Sequence, residues 1–313
     1  MASKPQNWSN VGNRTGSANS GVLRWLHTYS AWLWRPLVYS SAYLALVATA
    51  EVLLVGTLLS LPLSPAPVVG GLVTFAIYAN DRLVDVDTDA ASNPRRAAFV
   101  RRHGRTMYTL AAVAYGFAVA ISALGGPVAF ALAVFPGAVW VLYAVDWVPT
   151  GRLHFARLKE ILVVNSALVA AAWSLPVVFV PLAFGDAPVT TTVGVVLVYL
   201  FLATFVNTEI ANVGDVESDR QSDVATMPVV FGIKRTRWAL YGVTLLAGAV
   251  VTAAAAGDYL TTTATVALSV GLLALLAVVS RLGRADDDQR LAIAAECTRL
   301  PAFAILVLPP LVG

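Results

Sequence analysis

The sequence predicts an all-α integral membrane protein with nine transmembrane helices and a cytoplasmic amino terminus. Three observations predict this fold class: the composition, the apolar stretches and the placement of the basic residues. Of the 313 residues, 58% are hydrophobic and only 12% are charged, whereas a soluble domain carries about a quarter charged residues. The 22 glycines and 16 prolines fit membrane helices, which tolerate both. The composition therefore excludes a water-soluble globule.

Nine apolar stretches approach the roughly 20 residues that a helix needs to cross a hydrocarbon layer of about 30 Å. In chain order they cover residues 37–61, 68–80, 107–124, 128–145, 161–184, 193–206, 238–256, 263–280 and 291–312. The second and sixth stretches are short. They reach spanning length if their helices continue into the polar residues that follow, 81–89 and 207–219. We therefore expect these two helices to have polar ends.

The lysines and arginines set the predicted orientation, because short loops rich in positive charge stay on the cytoplasmic side. With nine spans, 20 of the 21 basic residues fall in the amino-terminal segment or in the loops after the even-numbered spans. The remaining one, Arg299, lies within the last stretch. This distribution places the amino terminus in the cytoplasm and the carboxyl terminus outside.

The predicted domain organisation is simple. Residues 1–34 form a polar tail and an interfacial aromatic helix, because Trp25, Tyr29 and Trp32 favour the membrane surface. Residues 35–313 form a single nine-helix transmembrane domain. A lone cysteine, Cys297, cannot form an internal disulfide, and the sequence has no Cys/His cluster of the kind that binds structural zinc.

Two acidic segments are the most informative feature, because carboxylates are costly near lipid. We call residues 78–89 the first acidic segment and residues 212–223 the second. The spacing of their polar residues places each set on one stripe of a continuing helix. The two stripes consist of Asp81, Asp85 and Asp89, and of Asn212, Asp215 and Asp219.

Both segments lie at the predicted cytoplasmic ends of their helices, where two like-charged stripes would repel each other unless cations lay between them. Oxygen ligands without His or Cys select hard divalent ions, and Mg²⁺ prefers one or two carboxylates with water and substrate phosphates. The pattern therefore predicts a magnesium site that holds a diphosphate. The alternative is a pair of solvated helix ends balanced by neighbouring arginines, and the repetition of the pattern on one side favours the metal.

The two segments resemble the Asp-rich motifs of the UbiA superfamily of intramembrane prenyltransferases. Asp85 and Asp89, followed by Asn93 and Pro94, match the later part of the first motif, and Asp81 stands where the family usually has Asn. In the second motif Asp215, Asp219 and Arg220 match, and Asn212 stands where Asp is common. The resemblance extends to Thr226-Met-Pro-Val, Tyr143, Arg157-Leu-Lys159, Asn165 and Trp173.

The resemblance implies a UbiA-like bundle and a prenyltransferase, which transfers an isoprenyl group from an isoprenyl diphosphate to a lipophilic acceptor in the membrane. The acceptor class, whether aromatic, lipid or polyene, stays open. The implied catalytic and Mg²⁺-binding residues are Asp81, Asp85, Asp89, Asn212, Asp215 and Asp219. The implied substrate-binding residues are Arg35, Arg96, Tyr143, Arg157, Lys159, Asn165 and Arg220. The implied location is the cell membrane, crossed several times, with the active site on the cytoplasmic side.

Other functions stay open at this point. A transporter or cation channel would also use acidic membrane residues, although it predicts them near the bilayer midplane rather than at helix ends. A non-catalytic relative would bind isoprenoid without turnover. A CDP-alcohol phosphotransferase needs Asp-Gly followed by Ala-Arg, and the sequence lacks that string. Nucleic-acid binding has no support, because the basic loops alternate with acids and face a membrane.

Three glutamates within or near the spans, Glu51, Glu209 and Glu296, are candidates for lining the acceptor side, since intramembrane charges are usually functional. Glu296 and Arg299 lie one turn apart, so a simple ion pair between them is an equally good interpretation.

Overall fold

The computed structural model describes residues 34–87, 90, 93–144, 164–221, 224–285 and 287–308, with the side chains of 142–144 left out. This part of the chain consists of helices joined by loops and contains no strand. The predicted tail and interfacial helix fall almost entirely outside the described residues. So do Asp89, Arg157 and Lys159, and so does the side chain of Tyr143.

The helices with defined ends follow one another with short connections. They are α1 (Ala42–Leu58), α2 (Ala66–Val84), α3 (Pro94–Ser122), α4 (Gly126–Ala144), α5 (Val164–Phe184), α6 (Thr191–Gly214), α7 (Val216–Gln221), α8 (Met227–Phe231), α9 (Ile233–Ala256), α10 (Thr262–Arg281), α11 (Asp288–Glu296) and α12 (Leu300–Leu306). A 3₁₀ turn joins α11 to α12 over Cys297–Arg299. Each of the nine predicted apolar stretches overlaps a helix of the described chain, which confirms the all-α prediction.

Five described segments are long and apolar enough to cross a membrane. They are Pro94–Val141, which contains α3 and most of α4, then Val164–Phe184, Thr191–Gly214, Ile233–Ala256 and Thr262–Arg281. Helix α1 is apolar but shorter, with 17 residues. Large apolar side chains such as Phe117, Leu245 and Leu273 are exposed on the outside of the bundle, as expected for surfaces that face lipid.

The long helices form a closed ring. Each of α1 to α5 packs on the next helix, α6 packs on α9, α9 on α10, α10 on α12, and α12 returns to α1. The largest buried apolar cluster includes Val55 of α1, Val178 of α5 and Leu268 of α10. The ring therefore encloses a buried apolar interior, and helices α2, α4 and α5 also contact one another.

Small residues and prolines shape this interior. A Cβ added at Gly71 of α2 would overlap Thr49 Oγ1 of α1, so glycine permits the close approach of these two helices. Pro136 lies inside α4, and Pro176 and Pro181 lie inside α5. Membrane helices tolerate such prolines where neighbouring groups or a cavity accommodate the freed backbone.

The prediction of uninterrupted helices through both acidic segments is wrong. Helix α2 ends at Val84 and α6 ends at Gly214, so Asp85 and Asp215 are the residues that follow the two helix ends. Asp favours conformations in which its side chain competes for backbone hydrogen bonds, and Gly214 further weakens the end of α6. Both helices nevertheless continue past their apolar stretches to include Asp81 and Asn212, as the lengths predicted.

Two further sequence expectations need correction. Helix α3 begins at Pro94, so most of the basic residues predicted in a loop before residue 107 lie on its first turns. Arg299 does not pair with Glu296. Its Nε lies 2.5 Å from Glu51 Oε1 of α1, and both side chains are 2% exposed. Glu296 instead accepts a hydrogen bond from Asn207 Nδ2 at 3.4 Å. A chain folded into a ring brings the first and last helices together, and sequence spacing does not reveal that contact.

Candidate active site

An apolar cavity of about 200 Å³ lies between α2, α4 and α5. Asp81 is the only charged residue among the described residues that line it. The other lining residues are Val69, Gly70, Val73, Thr74, Ile77, Tyr78, Leu132, Ala133, Pro136, Val139, Trp140, Val169, Ala172, Trp173, Pro176, Val177 and Val180. The cavity therefore suits an apolar chain with a metal-bound group at the Asp81 end.

Trp173 connects the wall of the apolar cavity to the buried ion pair. Its indole Nε1 donates to Glu51 Oε2 at 2.6 Å, and its ring packs edge-on against Tyr78, with 6.0 Å between ring centroids. Because Glu51 is also paired with Arg299, the indole is fixed by a hydrogen bond to a charged partner, which is stronger than a neutral one.

A polar cavity of about 420 Å³ lies beside the ends of α2 and α6. Arg82 and Arg96 line it, together with the acids Asp215, Asp287 and Asp288. Burial, and then the negative charge of Asp287, raise the pKa of the Asp288 carboxyl. The cavity thus brings together two guanidinium groups, which bind phosphate well, and one acid of the second acidic segment.

Asn93, which follows the first acidic segment in the chain, links the start of α3 to the start of α11. Its Nδ2 donates to Gln289 Oε1 at 2.6 Å, and its Oδ1 accepts from the backbone N–H of Arg96 at 3.0 Å, as an amino-terminal cap of α3. Asn93 and Gln289 also line the polar cavity. This contact closes one side of the cavity with residues that are almost 200 positions apart in the sequence.

The first acidic segment contributes consecutive residues to the two cavities. Asp81 lines the apolar cavity and accepts a hydrogen bond from Trp140 Nε1 at 3.4 Å, whereas the next residue, Arg82, lines the polar cavity. Asp85 is partly buried, and its N–H donates to the carbonyl of Asp81 at 2.9 Å. The structure therefore keeps Asp81 and Asp85 one turn apart although the regular helix has ended.

The second acidic segment is supported from the interior of the bundle. Asn212 Nδ2 donates to Ser166 Oγ at 3.3 Å, and Ser166 Oγ donates to Glu209 Oε1 at 2.6 Å. Asp219 is partly buried and its Oδ2 accepts from Thr226 Oγ1 at 3.1 Å. Asp215 lines the polar cavity. Asn212 therefore lies on α6 and Asp219 on α7, and Asp215 is the single residue between the two helices.

Each acidic segment also carries an acid outside the predicted stripe. Asp87 forms an ion pair with Arg101 at 2.8 Å, and both side chains are well exposed. Glu217 is exposed and accepts from Gln221 Nε2 at 3.1 Å. These two acids make ordinary surface contacts, so they serve as matched controls for the acids on the stripes.

The predicted substrate-binding residues fall into different environments. Arg96 lines the polar cavity. Asn165 is buried at the start of α5, and its Oδ1 has no hydrogen-bond partner among the described residues. Arg35 and Arg220 are exposed. The sequence pattern did not single out Trp140, Ser166 or Gln289, because their roles depend on contacts between distant helices.

The described residues contain no group of three Asp, Glu, His or Cys side chains close enough to hold a metal by themselves. The donors that are present, Asp81, Asp85, Asn212, Asp215 and Asp219, are all oxygen ligands. That chemistry fits Mg²⁺, which takes few protein ligands and completes its shell with water and phosphate oxygens. The residues therefore fit a magnesium ion that binds together with a phosphorylated substrate.

Several solved structures share the fold. A UbiA homologue from Aeropyrum pernix K1, solved without ligand, has a TM-score of 0.63 at 21% identity, and the match covers 84% of this chain and 97% of that one. A UbiA homologue from Archaeoglobus fulgidus bound to GPP and Mg²⁺ has a TM-score of 0.61 at 15% identity, covering 86% and 98%. A digeranylgeranylglyceryl phosphate synthase structure has a TM-score of 0.57 at 12% identity, covering 88% and 96%.

Comparison with curated proteins finds none that matches this sequence. The family comparison is decisive where the individual relatives are distant. The sequence model of the UbiA prenyltransferase family matches residues 37–300, so this chain belongs to the UbiA prenyltransferase family.

Proposed function

We propose that this protein transfers an isoprenyl group from an isoprenyl diphosphate to a lipophilic acceptor within the membrane, with Mg²⁺ as cofactor. The proposal rests on one observation: two consecutive residues near the end of α2 line two different cavities. Asp81 lines an apolar cavity and Arg82 lines a polar one. An apolar cavity and a polar cavity with guanidinium groups, each lined by one of two consecutive residues, suit a molecule with an apolar tail and an anionic head.

The chain of the donor would occupy the apolar cavity, where each buried CH₂ contributes about 0.8 kcal/mol. Its diphosphate would lie at the Asp81 end and extend toward Arg82 and Arg96, whose guanidinium groups bind phosphate oxygens in pairs. We also assign the other predicted residues to substrate binding. They are Arg35, Tyr143, Asn165 and Arg220 and, outside the described residues, Arg157 and Lys159. Bound GPP and Mg²⁺ in the Archaeoglobus fulgidus homologue support this donor class.

The metal ligands in this proposal are Asp81, Asp85 and Asp89 of the first acidic segment and Asn212, Asp215 and Asp219 of the second. When bound, the metal supplies positive charge that offsets the charge growing on the leaving diphosphate. Trp140 holds the Asp81 carboxylate through its indole N–H, and Thr226 holds Asp219. Tyr78, Trp140 and Trp173 offer aromatic faces to the positive charge that develops on the allylic carbon.

The membrane topology belongs to the same proposal. Nine spans with a cytoplasmic amino terminus place the basic first turns of α3 and both acidic segments on the cytoplasmic side. The acceptor would approach from the lipid, since both the donor chain and the outer surface of the bundle are apolar. Its class stays open among aromatic, lipid and polyene compounds.

The test uses the full chain in detergent or nanodiscs, with geranyl diphosphate and a lipid extract as the acceptor source. We expect diphosphate release and a prenylated product by mass spectrometry only when Mg²⁺ is present. Asp85→Ala and Asp219→Ala should each lower the rate by about 10²-fold or more, the size of the loss when one group that stabilises transition-state charge is removed. Asp87→Ala and Glu217→Ala are the matched controls and should retain activity.

Turnover that survives EDTA, or that survives Asp85→Ala and Asp219→Ala together, would overturn the mechanism. Binding of geranyl diphosphate without any product would identify a non-catalytic isoprenoid-binding protein. Metal-dependent ion flux across vesicles without product would identify a transporter or channel.

A further inference from the structure

A buried chain of hydrogen bonds joins the second acidic segment to the interior of the bundle. It consists of Glu209 and Asn212 on one face of α6 and of Ser166 on the first turn of α5. Glu209 is 0% exposed and Ser166 is 1% exposed. Ser166 Oγ lies 2.6 Å from Glu209 Oε1 and 3.3 Å from Asn212 Nδ2. The serine hydroxyl therefore contacts both the carboxylate and the amide, and the Asn212 side chain and the Met227 backbone also approach the carboxylate.

With the Glu209 carboxyl ionised, the number of protons fixes the direction of both hydrogen bonds. A serine hydroxyl has one hydrogen to donate, and the short contact gives that hydrogen to Glu209. Ser166 Oγ can then only accept from its second neighbour. Residue 212 must consequently be a donor toward Ser166, and the amide of Asn212 meets this requirement through Nδ2, whereas a carboxylate would not.

We propose that Glu209 and Ser166 are positioning residues that fix the amide of Asn212. With Nδ2 held by Ser166, the carbonyl Oδ1 is the atom left to act as a metal ligand. The proposal rests on the proposed function, in which Asn212 belongs to the magnesium site. It also explains why this chain has Asn at 212: a carboxylate there would place a second negative charge and a second acceptor against Ser166 while Glu209 is present.

The proposal predicts that an acid is tolerated at position 212 only when the acid at position 209 is replaced by an amide. Asn212→Asp alone sets two carboxylates against a hydroxyl that has one proton. In the double variant Glu209→Gln with Asn212→Asp, the new amide at position 209 can donate to Ser166 Oγ, and Ser166 can donate to the new carboxylate at position 212. Both hydrogen bonds are then restored in the reverse direction, with the same total charge as in the natural protein.

The experiment compares the natural protein, both single variants and the double variant, each as the full chain in detergent. Binding of Mn²⁺ in the presence of inorganic diphosphate is followed by electron paramagnetic resonance. Asn212→Asp should weaken Mn²⁺ binding by about 10-fold or more, the usual effect of losing a partner of a metal ligand. The double variant should return to within about threefold of the natural protein. Additive losses in the double variant would overturn the proposal.

Two controls separate positioning from a simple change of charge. Glu217→Gln removes one exposed carboxylate of the same segment, so its combination with Asn212→Asp should give no rescue. Ser166→Ala removes the shared hydroxyl, and in that background Glu209→Gln should no longer rescue Asn212→Asp. Rescue in either control would also contradict the proposal.

A second readout keeps this inference distinct from the proposed function. The thermal midpoints of the same four proteins, measured without metal or diphosphate, should show the same rescue, because the hydrogen bonds exist without ligand. If the natural protein fails to bind Mn²⁺ with diphosphate, the proposed function fails while the midpoints still decide the hydrogen-bonded chain. If the changes in thermal midpoint of the two single variants simply add in the double variant, the chain of hydrogen bonds is refuted whatever the protein binds.

Discussion

The first acidic segment ends α2 beside the apolar cavity, whereas the second ends α6 above a buried set of hydrogen bonds. Asp81 is contacted by Trp140, a residue of the cavity wall. Asn212 and Asp219 are contacted by Ser166 and Thr226, which lie outside that cavity. Both helices end at an Asp, so the two segments look alike in sequence, yet different surroundings hold them.

This difference suggests a division of tasks between the two segments. The first is coupled to whatever occupies the apolar cavity, because Asp81 is part of its lining. The second is held by side chains that do not line that cavity, so in the proposed mechanism it would provide metal ligands in fixed positions. Changes in the cavity wall should therefore alter the choice of donor, and changes around the second segment should alter metal binding.

The largest expected effect comes from filling the apolar cavity. Ala172 of α5 lines it, and Ala172→Phe would occupy space that a longer isoprenyl chain needs. Excluding one five-carbon isoprene unit costs roughly 4 kcal/mol at about 0.8 kcal/mol per CH₂, or up to about 10³-fold in kcat/KM. We expect diphosphate release from geranylgeranyl diphosphate to fall far more than release from geranyl diphosphate.

The control for this variant is Val113→Phe, which adds a ring at an exposed position of α3 and should leave the ratio of the two donors unchanged. Mn²⁺ binding with inorganic diphosphate should be the same in Ala172→Phe as in the natural protein. An equal loss for both donors would mean that the cavity does not hold the isoprenyl chain, and the division between the segments would fail.

A smaller effect is expected at the second segment. Thr226→Val keeps the shape of the side chain but removes its hydrogen bond to Asp219 Oδ2. Metal affinity should fall by about tenfold, as measured by Mn²⁺ binding, while the ratio of geranyl to geranylgeranyl turnover stays constant. Thr244→Val is the control, because among the described residues the buried Thr244 hydroxyl bonds only to the carbonyl of Leu240 in its own helix. A changed donor ratio in Thr226→Val would show that the two segments are not separate.

The sequence predicted the helices and the two acidic ends well because both depend on local properties. Apolar length indicates a buried or membrane helix, and the spacing of Asp81 and Asp85 indicates one face of it. The partners of these residues were beyond sequence reasoning. Glu51 and Arg299 are 248 positions apart, and Trp140 reaches Asp81 only because α4 packs against α2. Nothing in a single sequence states which helices become neighbours.

The helix ends show the same limit on a smaller scale. The spacing of the acidic residues predicted continuous helices, yet α2 and α6 both end early, at Val84 and Gly214. The spacing of side chains along a helix persists across one break when the next backbone hydrogen bond again joins residues four apart. The Asp219 N–H and the carbonyl of Asp215 form such a bond at 2.8 Å. Asp85 and Asp219 therefore lie one turn beyond Asp81 and Asp215 although the helix ends were not predicted, and Asp89 lies outside the described residues.

The smallest effect is expected at Asn93, which follows the first acidic segment in the chain. Asn93 caps α3 and also contacts Gln289, so Asn93→Ala removes both interactions. The loss of the cap should lower the free energy of unfolding by about 1 kcal/mol. Asn93→Ser retains a good cap but loses the contact with Gln289, as does Gln289→Leu, so these two variants should be alike and milder than Asn93→Ala.

Thermal unfolding in detergent measures these differences, and diphosphate release measures whether they reach the site. If the first segment is held chiefly by the cavity wall, neither Asn93→Ser nor Gln289→Leu should change the donor ratio or Mn²⁺ binding by more than about twofold, because a single hydrogen bond between neutral side chains contributes little. A large loss of Mn²⁺ binding in Gln289→Leu would instead make α11 a structural support of the first segment. The two acidic segments would then be held in the same manner, by a residue from a distant helix.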